Sequence, residues 1–173
     1  RGGKCGECKK TISARYPMVE FFTAVFAALC AWRFGFGWEA LAAITLTLFL
    51  VPITLIDYDT KLIPDSIVYP LLWIGLLLSL FHPMPGSETL FVTPQDAVVG
   101  AVAGYLSLWS VFWVFKIVTG KDGMGYGDFK LLAAIGAWLG WQALPTVILM
   151  SAMVGAVLNI ALIALRKQDR DTQ

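Results

Sequence analysis

The run of residues 97–118 reads AVVGAVAGYLSLWSVFWVFKIV, and Lys116 is its only charged residue. Its length and composition match the roughly 20 apolar residues that a helix needs to cross the bilayer's hydrocarbon core. The whole chain of 173 residues has the same character, because 58% of it is hydrophobic and only 14% is charged. A soluble domain has about 25% charged residues. The sequence therefore predicts an all-α protein embedded in a membrane, and it offers no basic stripe for nucleic acid.

Five further apolar segments flank this run, and short polar or Gly/Pro-rich connections separate most of them. The six segments are residues 17–32, 39–56, 66–81, 97–118, 129–141 and 143–165. The fifth segment is short and Pro145 follows it closely, so we expect a partial or re-entrant helix there. The pattern divides the chain into a polar head at 1–16, a membrane domain at 17–165 and a polar tail at 166–173.

The basic residues predict which side of the membrane each connection faces. If the head is cytoplasmic and the segments alternate, twelve of the thirteen Lys and Arg residues fall on the cytoplasmic side, and only Arg33 lies opposite. This asymmetry follows the positive-inside rule. The first, third and fifth segments are therefore predicted to begin on the cytoplasmic side.

Two aspartates stand at the ends of apolar segments on that predicted side. Asp57 ends the second segment within LIDYD at 55–59, and Asp128 closes GMGYGD at 123–128, where the fifth segment begins. Because both lie at the same predicted depth, helix packing is expected to bring them together. An ionisable residue at the edge of hydrocarbon is destabilising, so each aspartate is a functional candidate by default.

Two carboxylates at close range predict acid/base chemistry, because both cannot ionise easily and one proton is shared. One carboxylate then activates water while the other protonates the carbonyl of a peptide bond, as in aspartic proteases. Gly123, Gly125 and Gly127 are expected to give the helix start unusual backbone angles and to allow close backbone approach. Each aspartate also has a structural explanation: Asp128 as a helix N-cap and Asp57 as an interfacial helix terminus.

The segment GYGD at 125–128 matches the GxGD motif of intramembrane aspartyl proteases. Its extension GDFK, followed by LLAA at 131–134, resembles the type IV prepilin peptidase family, as does Asp57 followed eight residues later by the aspartate of IPD at 63–65. The head is similar too, from RGGKCGEC at 1–8 to ISARYPMVE at 12–20. The resemblance therefore covers nearly the whole chain.

This resemblance implies an enzyme of the bacterial inner membrane whose active site faces the cytoplasm. Members of the family cleave the leaders of type IV prepilins and type II secretion pseudopilins, then N-methylate the new N-terminus with S-adenosylmethionine. The resemblance gives the catalytic role to Asp57 and Asp128, and it gives Asp65 no part in the pair. Lys130 and Glu20 occupy motif positions as well. Glu20 is placed to meet a basic leader or the substrate N-terminus, but a solvated interfacial charge explains it equally simply.

Cys5 and Cys8 form a CxxC pair in the head. Such a pair supplies half of the four ligands of a tetrahedral zinc site, or it forms a redox pair. The resemblance implies zinc, because the family carries two CxxC pairs in a cytoplasmic domain after its first span. Only one pair is present here, so we expect an N-terminally truncated member with a remnant of that domain at 1–16. S-adenosylmethionine has no recognisable binding motif in the sequence.

Two alternative functions remain open. A GxGD protease without methyltransferase activity, similar to presenilins or archaeal preflagellin peptidases, fits the aspartates but not the CxxC head or the segment at 15–20. A transporter of protons or cations would place acidic residues deep in the spans, whereas Asp57 and Asp128 lie at one interface. The predicted partners are prepilin and pseudopilin substrates and the lipid bilayer, and nucleic acid is excluded.

Small and aromatic residues within the apolar segments carry expectations about packing. Five glycines are expected to permit close helix contact, namely Gly100, Gly104, Gly136, Gly140 and Gly155. Six tryptophans are expected in interfacial belts or against lipid, namely Trp32, Trp38, Trp109, Trp113, Trp138 and Trp141.

Overall fold

The computed structural model describes residues 13–81, 92–121 and 123–171. Within these ranges the chain forms α-helices, a short 3-10 turn and no strand. The helices are α1 (Arg15–Phe34), α2 (Trp38–Thr60), α3 (Asp65–Ser79), α4 (Pro94–Thr119), α5 (Tyr126–Leu139) and α6 (Leu144–Asp171), with the 3-10 turn Trp141–Ala143 between α5 and α6. The all-α prediction is confirmed over the described part of the chain, and each apolar segment contains a helix.

Three of the helices in the described ranges are long and apolar enough to cross a membrane. They are α1, α2 and α4, with 20, 23 and 26 residues. Helices α3 and α5 have 15 and 14 residues, or about 22 and 21 Å at 1.5 Å per residue. Both are shorter than the roughly 30 Å hydrocarbon core.

Helices α4 and α5 pack against each other through glycines. A Cβ at Gly100 would overlap the carbonyl group of Gly136, and a Cβ at Gly104 would lie 2.6 Å from a carbonyl oxygen of α5. The expected close packing is therefore confirmed at these three positions. Gly140 also packs closely, since a Cβ at Gly100 would lie 2.9 Å from its carbonyl carbon, and it ends α5 with φ +78°, a value that favours glycine. Gly155 has no described atom within 4 Å of its Cβ position, so the prediction of close packing is wrong there.

Helix α5 runs antiparallel to α4 along most of its length. Phe129 in the first turn of α5 packs on Phe112 near the end of α4, with ring centroids 5.5 Å apart. Just after α5, the Trp141 indole donates to Asp96 in the first turn of α4 at 3.1 Å. Helix α5 therefore passes from one end of the bundle to the other. It is short, as expected, and the partial or re-entrant placement in a membrane stays a prediction.

Trp138 lies in the core formed by α2, α3 and α5. The six core residues are Ala42, Ile53, Val68, Leu71, Ala134 and Trp138. The Trp138 side chain is 5% exposed, and its indole N–H donates to the Leu71 carbonyl at 2.8 Å. Gly75 leaves room for the ring, since a Cβ there would lie 2.5 Å from it. The expected interfacial or lipid-facing position is wrong for Trp138, because a paired indole N–H can be buried.

One end of the bundle gathers the starts of α1, α3 and α5 and the ends of α2 and α4, and we call it the site end. Arg15 at the start of α1 pairs with Asp59 at the end of α2, at 2.8 Å. Lys130 at the start of α5 pairs with Asp65 at the start of α3, at 2.7 Å. These elements are the ones that the positive-inside pattern assigns to the cytoplasmic side.

Candidate active site

An open cleft of about 900 Å³ lies at the site end, between the end of α2, the start of α3 and the start of α5. Asp57 and Asp128 both line it. Its other walls come from Ile56, from residues 60–65 at the junction of α2 and α3, and from Gly125, Tyr126, Gly127 and Lys130 at the start of α5. A separate groove of about 460 Å³ between α1 and α2 contains no titratable side chain. We therefore place the candidate active site at the cleft.

Asp57 lies in the last turn of α2, where its side chain takes no part in closing the helix. The helix is closed by Lys61 in the left-handed conformation (φ +56°), whose N–H donates to the Asp57 carbonyl oxygen at 2.8 Å. A carboxylate in the last turn meets the negative end of the helix dipole. Within the described residues the Asp57 side chain makes no hydrogen bond or ion pair. Its explanation as a structural helix terminus is therefore weakened.

Asp128 is the third residue of α5. The N-cap is Gly125, with extended backbone angles of −75° and 145°, so the interpretation of Asp128 as the N-cap is wrong. The backbone of Gly125 instead lies close enough to the Asp128 carboxylate to favour the ionised form of that group, and Asp128 also lines the cleft.

The environment of Asp128 favours its protonated form. Burial raises the pKa of this carboxyl, the nearby charge of Asp57 raises it further, and the nearby backbone of Gly125 opposes both effects. Burial destabilises an ionised carboxylate, and a second like charge adds to that. Asp128 lies outside the three candidate spans. The raised pKa favours the protonated form, which is the form that a general acid needs.

The two glycines of the GxGD segment differ in what they permit. A Cβ at Gly127 would lie 2.7 Å from the Cβ of Ile63, so the start of α5 lies close against the connection between α2 and α3. A Cβ at Gly125 would lie 3.6 Å from the nearest atom, Oδ2 of Asp128, which is an ordinary contact. The expected unusual backbone angles do not occur at either glycine. Close approach does occur at Gly127, against the protein itself.

An ion pair lies on the rim of the cleft. The Lys130 ammonium donates to both carboxylate oxygens of Asp65 at 2.7 Å, and it lies 5.3 Å from the ring centroid of Tyr69. The hydrogen bond with Asp65 raises the pKa of Lys130. The sequence motifs contained both charged residues but gave no sign that they pair, since they are 65 positions apart.

Glu20 does not line the cleft. It lies in a separate cavity of about 500 Å³ together with Arg15 and Asp59. Arg15 and Asp59 pair with each other, whereas Glu20 has no ion pair among the described residues. The structure thus keeps Glu20 apart from Asp57 and Asp128, and both explanations of this residue remain.

The described residues contain no group of three or more His, Cys, Asp or Glu that could hold a metal. Cys5 and Cys8 lie outside the described ranges, so the zinc site stays a sequence prediction. Cys30 lies between α1 and α2, with its sulfur 3.8 Å from the Thr47 hydroxyl, and it is a packing residue.

Comparison with known proteins supplies a family. The model of the type IV leader peptidase family matches residues 44–160, and that of the bacterial peptidase A24 N-terminal domain matches residues 1–34. A Pseudomonas aeruginosa protein is 54% identical over 99% of this chain and 57% of its own length. An Aeromonas hydrophila protein is 56% identical over 95% of this chain and 54% of its own length.

Both relatives are named prepilin leader peptidase/N-methyltransferase. A Neisseria gonorrhoeae protein with the same name is 49% identical over 92% of this chain. The chain spans little more than half the length of these curated relatives. No solved structure matches the chain significantly.

Proposed function

The chain belongs to the type IV leader peptidase family, and we propose that it carries the peptidase site of a membrane enzyme that removes leader peptides from prepilins. One observation carries the proposal: Asp57 and Asp128, on helices far apart in sequence, line a single open cleft. The shared name of the relatives suggests the substrate class. The cleft suits a peptide better than a small apolar ligand, because it is open and five charged side chains line it, namely Asp57, Lys61, Asp65, Asp128 and Lys130.

The two carboxylates have distinct roles in this proposal. Asp57 accepts a proton from water, and the resulting hydroxide attacks the carbonyl carbon of the scissile bond. Asp128 is the general acid, because its raised pKa favours the protonated form, and it donates that proton to the carbonyl oxygen. When the C–N bond of the tetrahedral intermediate breaks, Asp57 gives its proton to the leaving amine, and Asp128 recovers one from the hydroxyl group.

The orientation of the site is also part of the proposal. We place the site end at the cytoplasmic face of the bacterial inner membrane, with the chain crossing it several times. Arg15, Lys61, Lys116 and Lys130 all belong to the ends of helices that meet there, which is the arrangement that the positive-inside rule expects. Water and a polar leader peptide can reach a cleft at that depth.

The second activity belongs to the proposal for the whole enzyme. The relatives' name includes N-methyltransferase, so we propose N-methylation of the new N-terminus with S-adenosylmethionine, and pseudopilins as further substrates. The proposal assigns no described residue to the methyl donor. Cys5 and Cys8 supply two thiolates, half of a tetrahedral zinc site, and no peptidase step depends on zinc. A transporter is disfavoured, because Asp57 and Asp128 lie in terminal helix turns.

The test is cleavage of a prepilin by the full-length enzyme carrying Asp57→Asn or Asp128→Asn. We expect either change to lower the rate by about 10²–10⁴-fold, the range for general acid or base catalysis. Asp59→Asn is the matched control, because it removes the same charge from the same helix end, outside the cleft. Cleavage at the normal rate by either of the first two variants would refute the proposal.

A further inference from the structure

The carboxylates of the proposed pair stand on helices whose main packing partners differ. Helix α5, with Asp128, packs chiefly against α4 and α3, whereas α2, with Asp57, packs chiefly against α1. Beyond the core that α2, α3 and α5 share, the position of one carboxylate relative to the other therefore depends on the segment that joins α2 to α3. That segment, residues 61–64, is irregular and begins with the left-handed Lys61.

Two contacts fix the start of α5 against this segment. The first is steric: the backbone of Gly127 lies against Ile63, so closely that no Cβ fits between them. The second is the Lys130–Asp65 ion pair, in which one ammonium contacts both carboxylate oxygens at 2.7 Å. Ile63 and Asp65 flank Pro64, the N-cap of α3. The two contacts therefore hold the α3 side of the cleft to the α5 side.

We propose that the Lys130–Asp65 ion pair is a positioning device that keeps the Asp57 and Asp128 carboxylates within reach of each other. This inference rests on the proposed function, because it concerns the same cleft. Lys130 follows Asp128 by two residues on α5, and Asp65 begins the helix that directly follows the Asp57 segment. Breaking the pair leaves the Gly127–Ile63 contact between the α5 start and the segment before α3, while Phe129 still holds that start to α4.

The surroundings of Lys130 suit a positioning role better than contact with substrate. The Lys130 ammonium donates hydrogen bonds to both carboxylate oxygens of Asp65, and it lies 5.3 Å from the centroid of the Tyr69 ring. The Lys130 side chain is 24% exposed and that of Asp65 is 50% exposed. Ion pairs with this exposure contribute little to global stability, so its effect is expected in the geometry of the cleft.

The test compares two single variants with a swapped pair in the full-length enzyme. Lys130→Met and Asp65→Asn each break the ion pair, and we expect kcat for prepilin cleavage to fall about tenfold or more while KM changes less. The double variant Lys130→Asp/Asp65→Lys restores an ion pair with reversed polarity, and it should regain most of the lost rate. Asp59→Asn breaks the comparable Arg15–Asp59 pair outside the cleft and should leave kcat unchanged.

A pH profile separates positioning from a merely structural role. The charged and titratable groups that line the cleft with Asp128 are Asp57, Lys61, Asp65, Tyr126 and Lys130. The neutral double variant Lys130→Gln/Asp65→Asn keeps the net charge of the rim unchanged. In this double variant, the alkaline limb of the profile of cleavage rate against pH should move to lower pH. The reason is that a more distant Asp57 raises the pKa of Asp128 less.

Each outcome has one meaning. Single variants that cleave at the normal rate, or a swapped pair as slow as the singles, would overturn the inference; the second result would show that Lys130 or Asp65 acts directly. A variant that loses its cooperative unfolding transition would also overturn it, because the pair would then be needed for the fold. Asp128→Asn, measured in parallel, reports on the proposed function separately. If it remains active, the peptidase assignment itself fails.

Discussion

A methyl group added at Gly127 should push the start of α5 away from Ile63 and so displace groups in the candidate active site. A Cβ there would lie 2.7 Å from the Cβ of Ile63, whereas ordinary contact begins at 3.4 Å, so the two segments must separate by 0.7 Å or more. Overpacking of this kind destabilises a fold by about 1–3 kcal/mol. Misplacement of catalytic groups by about 1 Å lowers rates by about 10²-fold. We expect Gly127→Ala to reduce prepilin cleavage by about that factor.

The assay is prepilin cleavage, followed by the mass of the processed product, alongside a denaturant unfolding curve. Gly155→Ala is the matched control, because a Cβ there meets no described atom within 4 Å, and it should leave cleavage unchanged. The double variant Gly127→Ala/Ile63→Gly adds a Cβ at residue 127 and removes the one at residue 63, so the steric overlap is relieved and part of the lost cleavage rate should be recovered. Cleavage at the normal rate by Gly127→Ala would show that the close contact between Gly127 and Ile63 does not position the proposed catalytic groups.

Three further predictions concern a titration, a buried hydrogen bond and a metal. The pKa of Asp128 is raised in the fold. The free energy of unfolding should therefore fall as the pH rises from about 4, the ordinary aspartate value, through the raised pKa. Reversible unfolding of Asp128→Asn should not show that fall. In denaturant titrations, Trp138→Phe should lower the free energy of unfolding by about 1–3 kcal/mol, because the ring is smaller and the hydrogen bond to Leu71 is lost. Trp32→Phe, at an exposed position, should change it by no more than about 0.5 kcal/mol. Elemental analysis of the full-length enzyme should find zinc that Cys5→Ser removes, and equal zinc in both proteins would contradict that site.

The helices and the meeting of the two aspartates follow from properties that are local in sequence. Apolar runs of helical length predict helices, and the alternation of basic connections predicts which helix ends lie together. Asp57 and Asp128 could therefore be expected at one end of the bundle, and the cleft lies there.

The sequence predictions that the structure overturns concern contacts between residues far apart in the chain. Trp138 reads as an interfacial tryptophan, but the gap at Gly75 and the carbonyl of Leu71 make a buried position favourable. Asp128 reads as an N-cap, but Gly125 takes that position in an extended conformation. The Lys130–Asp65 pair was hidden for a similar reason, since motif spacing shows which residues are present and not which of them touch.

If Asp57 and Asp128 act as one catalytic unit, as we propose, a double-mutant cycle will show it. Cleavage rates would be measured for Asp57→Asn, Asp128→Asn and the double variant of the full-length enzyme. Residues that act as a unit give grossly non-additive losses, so the double variant should be about as slow as the slower single variant. A double variant whose loss equals the product of the two single losses would contradict the claim.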